Sequence, residues 1–195
     1  MGLVALGVVF LGLACAQLPP HEIDDVCAIF SEKHGWQDAA LRAEGRWGVD
    51  VPVLMAVLHQ ESRFRARARP DWRLGLGFIP LGPASSAYGY GQAKVGTWDD
   101  YRRLAKRPDA RRDRFVDAVD FVGWYGDVIE RAAGVPKNDA FNLYLAYHEG
   151  PAGFQRRSFD AKPWLLGVAR KVEDRADSYR RQHASCRVPD VAPAP

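Results

Sequence analysis

The sequence lacks any apolar run long enough to cross a membrane: the longest, from Leu3 to Leu13, falls short of the roughly 20 residues a spanning helix needs. It lacks internal repeats, so a solenoid is excluded, and its only low-complexity stretch is the Pro- and Ala-rich end from Val188 to Pro195. It also lacks a strong charge of either sign. A formal net charge of +3 over 195 residues is far below the positive density of a nucleic-acid binder, and no nucleic-acid partner is expected. With 47% hydrophobic and 26% charged residues, the chain has the balance of a folded globular protein, which excludes wholesale disorder, collagen and coiled coil. Its length supports one sizeable core, which excludes a stapled mini-protein.

Several chemistries are missing as well. His59 and Glu61 lie two apart, and His148 is next to Glu149; neither pair has the i, i+4 spacing that sets two ligands on one helical face, so no metal is expected. Ser85 and Ser86 do not sit in a G-x-S-x-G turn, and no Cys-centred signature appears, which removes support for a nucleophilic hydrolase. Neither a Walker A nor a dinucleotide glycine pattern is present, and no cofactor is expected.

What is present begins with a leader. Residues 1–16 read as an export signal, because the short apolar run is followed by the small residues Ala14-Cys15-Ala16. Leu11-Gly12-Leu13-Ala14-Cys15 resembles a bacterial lipobox, with Cys15 as the lipidated residue and membrane anchor, whereas Ala14-Cys15-Ala16 also fits simple cleavage. The chain is therefore expected to be periplasmic and lipid-anchored, with a folded domain over 21–187 and a disordered tail over 188–195. Three cysteines are present. Once Cys15 is lipidated or removed, Cys27 and Cys186 form an even pair that an oxidising compartment would bridge, the alternative being two separate thiols.

The periodicity predicts a mainly α domain of about seven helices. Ile23, Val26, Cys27 and Phe30 recur at helical spacing, and a second helix runs from Ala39 to Trp47 between Gly35 and Gly48. Asp50 and Pro52 then open a segment whose Val53, Leu54, Met55, Val57 and Leu58 are so continuously apolar that protein must surround it. From Arg63 to Ala87 the pattern fails and a long loop is expected, with arginines at 63, 65, 67, 69 and 73 forming a solvated face or touching anionic groups. Later helices are predicted from Thr97, with Asp100 completing a capping box, and along a stripe of Phe115, Val119, Val122 and Ile129. Two more follow, one around Phe141 and Leu145 up to Gly150-Pro151, the other from Pro163 to about His183. Trp124 belongs with packing, since its neighbours Phe121 and Val122 lie on a buried stripe.

Glu61 stands at the end of the most apolar helix. A carboxyl there loses hydration, its charged form becomes unfavourable, and its pKa rises toward the range of a general acid. On position alone it could equally be a helix-end glutamate paired with Arg63 or Arg65.

Three ordered blocks add to this reading. His59-Gln60-Glu61-Ser62-Arg63-Phe64 resembles the E-S-x-F segment of bacterial lytic transglycosylases of the soluble-type, lysozyme-like family. Ala87-Tyr88-Gly89-Tyr90-Gly91-Gln92 is similar to that family's A-x-G-L-M-Q block, with Tyr90-Gly91 replacing Leu-Met, and Ala146-Tyr147-His148-Glu149-Gly150 resembles its A-Y-N-A-G block. The resemblance implies a lysozyme-like α domain with a sugar-binding cleft, peptidoglycan glycan strands as the partner, and Glu61 as catalytic acid and base. It further implies cleavage of the bond between N-acetylmuramic acid and N-acetylglucosamine with a 1,6-anhydro product. Ser62, Tyr88, Tyr90, Gln92, Tyr147 and Glu149 become substrate-binding candidates, with Ser85 or Ser86 as the hydroxyl donor to the acetamido group. Two departures stand out: the 24 residues between Phe64 and Gly89 exceed the family's usual interval, and Glu149 replaces a small residue. A second carboxylate keeps a lysozyme-type hydrolase in play, although Glu149 could simply pair with Arg156 or Arg157. A silent glycan-binding module, or a factor opening the wall for an envelope-spanning apparatus, are the other readings.

Overall fold

A computed structural model of the chain describes residues 18–70, 72–75, 79–83 and 85–186, with side chains described outside 71–84. The expected leader with Cys15, and the tail over 188–195, lie outside the described residues. Among the described residues no helix is long and apolar enough to cross a membrane.

Helix α1 (Val26–Glu32) starts where the Asp25 carboxylate accepts from the Cys27 and Ala28 amides, at 2.8 and 3.1 Å. Helix α2 (Trp36–Trp47) is bounded by Gly35 and Gly48, both left-handed. Helix α3 (Val51–Ser62) has Asp50 at its N-cap, yet that carboxylate makes no capping bond; Glu44 Oε1 takes the Val51 amide instead, at 3.0 Å. Every residue from Val51 to Leu58 is buried, so α3 is the central helix. It packs on α2, on α5 (Phe115–Ala133) and on α8 (Pro163–His183).

Helix α4 (Val95–Leu104) begins earlier than the Thr97 capping box predicts. The Ser86 hydroxyl accepts from the Val95 amide at 3.3 Å and so fixes the first turn from outside the helix. Helix α6 (Ala140–Glu149) is stopped by Gly150, and a short helix α7 (Pro151–Gln155) and a 3₁₀ turn (Ser158–Ala161), both absent from the periodicity reading, lead to α8. The stretch expected as irregular loop holds an antiparallel ribbon of β1 (Trp72–Gly75) and β2 (Ile79–Pro83), paired Trp72 to Pro83 and Gly75 to Ile79. Its Pro and Gly content and a register irregularity between Trp72 and Leu74 break the strict alternation by which a strand is recognised.

Cys27 and Cys186 form a disulfide with Cα atoms 5.4 Å apart, joining α1 to the segment just after α8. Trp124 is buried against Tyr101, Phe121 and Tyr125, as packing requires.

Candidate functional site

The burial of α3 sets the site. Its last turn carries Glu61 out of the core to the wall of a groove of about 470 Å³. The lining takes in Ser85 and Gln92 from the loop before α4, Phe121 and Tyr125 from α5, and Tyr147, His148 and Glu149 from the end of α6. Burial pushes the Glu61 carboxyl up to about 7, against the opposing effect of a hydrogen bond with the Tyr144 hydroxyl. Glu61 thus makes no ion pair with Arg63 or Arg65; Arg65 Nε donates instead to the Ser62 carbonyl at 3.0 Å. A carboxyl poised near 7 can give and take a proton in the same site.

Around it the aromatic hydroxyls are fixed. Tyr147 donates to the Gly91 carbonyl at 2.7 Å, tying α6 to the loop, and burial followed by the Glu61 charge raises the pKa of both Tyr144 and Tyr147. The departure at Tyr90-Gly91 has a packing cause. A Cβ on Gly91 would lie 3.2 Å from the Tyr147 hydroxyl and 3.5 Å from Val122, so the bare residue admits this close contact.

The motif residues divide into those that reach the groove and those that do not. Ser85 lines it, its hydroxyl accepting from the Ala87 amide at 3.2 Å. Gln92 lines it in a left-handed conformation, and its amide nitrogen donates to the Ala68 and Gly89 carbonyls. Tyr147 and Glu149 also line it. Four other candidates do not line the groove. Ser62 is buried and donates to the Leu58 carbonyl at 3.2 Å, within its own helix. Ser86 caps α4. Tyr88 lies between the guanidinium groups of Arg69 and Arg112, at 4.6 and 5.2 Å, with its hydroxyl on Asp113. Tyr90 is buried edge-on to Trp36 and Phe115, each 5.7 Å away.

Nothing in the sequence sets Arg112 apart from the other arginines. Its Nη1 donates to the Ser86 and Ala93 carbonyls at 2.9 and 2.8 Å, while its own carbonyl accepts from the Tyr90 amide at 3.1 Å. The loop that presents Ser85 and Gln92 is thereby clamped at both ends. Gly89, at φ 82°, is obligatory there, because a Cβ would meet the Arg112 carbonyl oxygen at 2.1 Å.

Glu149 pairs with neither Arg156 nor Arg157. The 3₁₀ turn returns the chain so that Lys162 Nζ sits 2.7 and 2.9 Å from its two oxygens, while Arg157 is engaged by Asp160 at 2.8 Å. Burial alone would raise the Glu149 pKa, but hydrogen bonds from Lys162, Ser158 and His148 outweigh it and hold the carboxyl at about 2. The two groove carboxyls are therefore driven apart: one is protonated up to neutral pH, the other is permanently charged and saturated with donors.

A second cavity of about 500 Å³, between the end of α3 and α8, is slightly larger but does not include Glu61. It holds His59, whose Nε2 is buried 3.5 Å from Asp24 and has no hydrogen-bond partner among the described residues. Desolvation, then the Arg175 charge, press the His59 pKa down to about 4 despite Asp24.

These shifts carry a stability consequence. The folded state holds the Glu61 proton more tightly than the unfolded chain, so stability falls as pH rises from about 4.5 to about 7. His59 acts in the opposite sense, adding stability as pH rises from about 4 to about 6.5. The two slopes nearly offset each other in the wild type. Glu61→Gln removes one of them, and is expected to match the wild type at pH 4 and to exceed it by up to about 3 kcal/mol at pH 8, since each pKa unit corresponds to about 1.4 kcal/mol. Urea unfolding at the two pH values measures this; equal stability at both would mean that the carboxylate is hydrated after all.

A helical domain with a single acid of raised pKa at the end of its central helix, facing a groove, has the architecture of the lysozyme-like domains. The family model described as "Transglycosylase SLT domain" matches residues 3–186, and the chain belongs to that family of lytic transglycosylases. No curated protein matches the chain.

Proposed function

We propose that the protein is a peptidoglycan lytic transglycosylase that cleaves the β-1,4 bond between N-acetylmuramic acid and N-acetylglucosamine, with Glu61 as its only acid and base. The observation that carries this reading is the Glu61 carboxyl, desolvated in a polar-rimmed groove and raised to about 7. Protonated Glu61 gives its proton to the glycosidic oxygen as the bond to C1 of the muramyl residue breaks. The acetamido group of that sugar stabilises the positive charge at C1, and the Ser85 hydroxyl orients the acetamide. The sugar's own 6-hydroxyl then attacks C1 while the Glu61 carboxylate takes its proton, which restores the acid and closes the 1,6-anhydro ring. An internal hydroxyl already held near C1 replaces water and lowers the barrier by proximity.

Glu149 favours this course over hydrolysis by a carboxylate pair. With Lys162, Ser158 and His148 on its oxygens and a pKa of about 2, it is too weak a base to activate water. The enzyme acts on the glycan outside the cytoplasm, held by a lipid on Cys15; the Cys27–Cys186 bridge fits an oxidising compartment. The test is digestion of purified sacculi followed by mass spectrometry of the soluble products. Transglycosylation yields muropeptides one water lighter than those a hydrolase releases; exclusively reducing products would refute the reading.

A further inference from the structure

Trp164, in the first turn of α8, is 58% exposed, whereas Trp36, Trp98 and Trp124 are all under 10%. Leaving an indole in water forfeits the large burial gain of the residue type, and this one stands beside the groove rather than on an open face. Its ring stands edge-on to His148, with centroids 5.3 Å apart and planes at 79°. His148 itself lines the groove and is held by Glu149 Oε1, at 2.9 Å from Nδ1. Glu149 is anchored in turn by Lys162, two residues before Trp164. The indole is therefore fixed one ring outside the groove wall by a chain of contacts that begins inside it, and among the described residues its Nε1 makes no hydrogen bond that would account for its position.

We propose that Trp164 is the stacking platform of an outer sugar subsite, on which a pyranose ring of the same glycan strand lies after leaving the Glu61 groove. The inference rests on the glycan reading of that groove and adds a residue to it. The occupant is a neutral sugar ring: its axial C–H bonds meet the electron-rich indole face, while His148 and Lys162 offer polar groups at the ring's edge. The site then favours strands long enough to reach past His148, and a short oligosaccharide gains nothing from it.

The experiment uses the full chain with Glu61→Gln, so that substrate is not consumed, and measures binding of peptide-free glycan strands of defined length by calorimetry. Adding Trp164→Ala is expected to weaken binding of long strands about 10-fold, equivalent to about 1.4 kcal/mol, and to leave a disaccharide unit unaffected; Trp164→Phe restores most of the loss. Equal affinity of long strands for the parent and the Trp164→Ala variant overturns the subsite while leaving the groove's function standing. Failure of the parent to bind any glycan overturns both. If Trp164→Ala changes only the binding of anionic lipid vesicles, the indole serves a membrane surface and the subsite is refuted.

Discussion

Glu61→Gln is expected to leave the helical fold intact and to reduce turnover of sacculi by at least about 1,000-fold. The substitution keeps the size and hydrogen-bonding reach of the side chain but removes its ionisable proton. Positioned proton transfer contributes roughly 10²- to 10⁴-fold to a rate, and in the proposed mechanism both transfers run through Glu61 alone. Glu149 is unsuited to take over, being held ionised by Lys162. On that mechanism the same carboxyl sets the pH profile. Bond breaking needs the protonated form, and turnover should decline as pH rises through about 7, by about 100-fold at pH 9 if protonation alone limits it. Product release measured by mass across that range, on the wild type and the variant, checks both statements. Activity within ten-fold of the wild type in Glu61→Gln would remove this residue from the reaction.

How far such a site could be read in advance depends on the kind of signal. Glu61 was legible because eight consecutive buried positions precede it on α3, from Val51 to Leu58, and an uninterrupted apolar run can only be central. The helix boundaries at Gly35 and Gly48 were legible because left-handed backbone favours glycine. Side-chain direction in the Ala87 to Gln92 block was not. With Gly89 at φ 82° and Gln92 at φ 46°, the chain reverses within four residues, so neighbours in sequence point to opposite sides: Tyr90 into the core, Gln92 into the groove. Motif membership placed both at the site, and only the turn's geometry separates them. The choice between Ser85 and Ser86 was open for the same reason. Trp164 gave no signal because the sequence marks only the bounds of its helix, Pro163 to about His183, and these say nothing of the solvent side.

The second large expectation concerns Asp120, which the helix pattern of α5 did not distinguish from a surface carboxylate. It is buried, and accepts from Trp47 Nε1 at 2.9 Å and from the Tyr101 hydroxyl at 2.7 Å, with the guanidinium groups of Arg46 and Arg107 at 3.4 and 3.7 Å. One carboxylate thus joins α2, α4 and the segment after α4 to α5, where Gly123 lets Trp47 approach so closely that a Cβ would stand 2.8 Å from its ring. Removing the carboxylate strands the Trp47 and Tyr101 donors, while the partly exposed arginines can turn to water, so the cost is about 1–3 kcal/mol for each donor left unsatisfied. Asp120→Ala is expected to lose that much in urea unfolding at pH 7; Asp120→Asn, which retains an acceptor for Trp47 or Tyr101, loses less. Because Phe121, the next residue, lines the groove, the folded fraction of Asp120→Ala should also bind glycan more weakly. Tyr101 provides the internal check. Tyr101→Phe alone deletes a satisfied hydrogen bond and destabilises by about 1 kcal/mol, whereas in the Asp120→Ala background it removes a stranded hydroxyl and restores stability. If the two losses simply add, water has entered to satisfy Tyr101, and the carboxylate is not what holds these helices together.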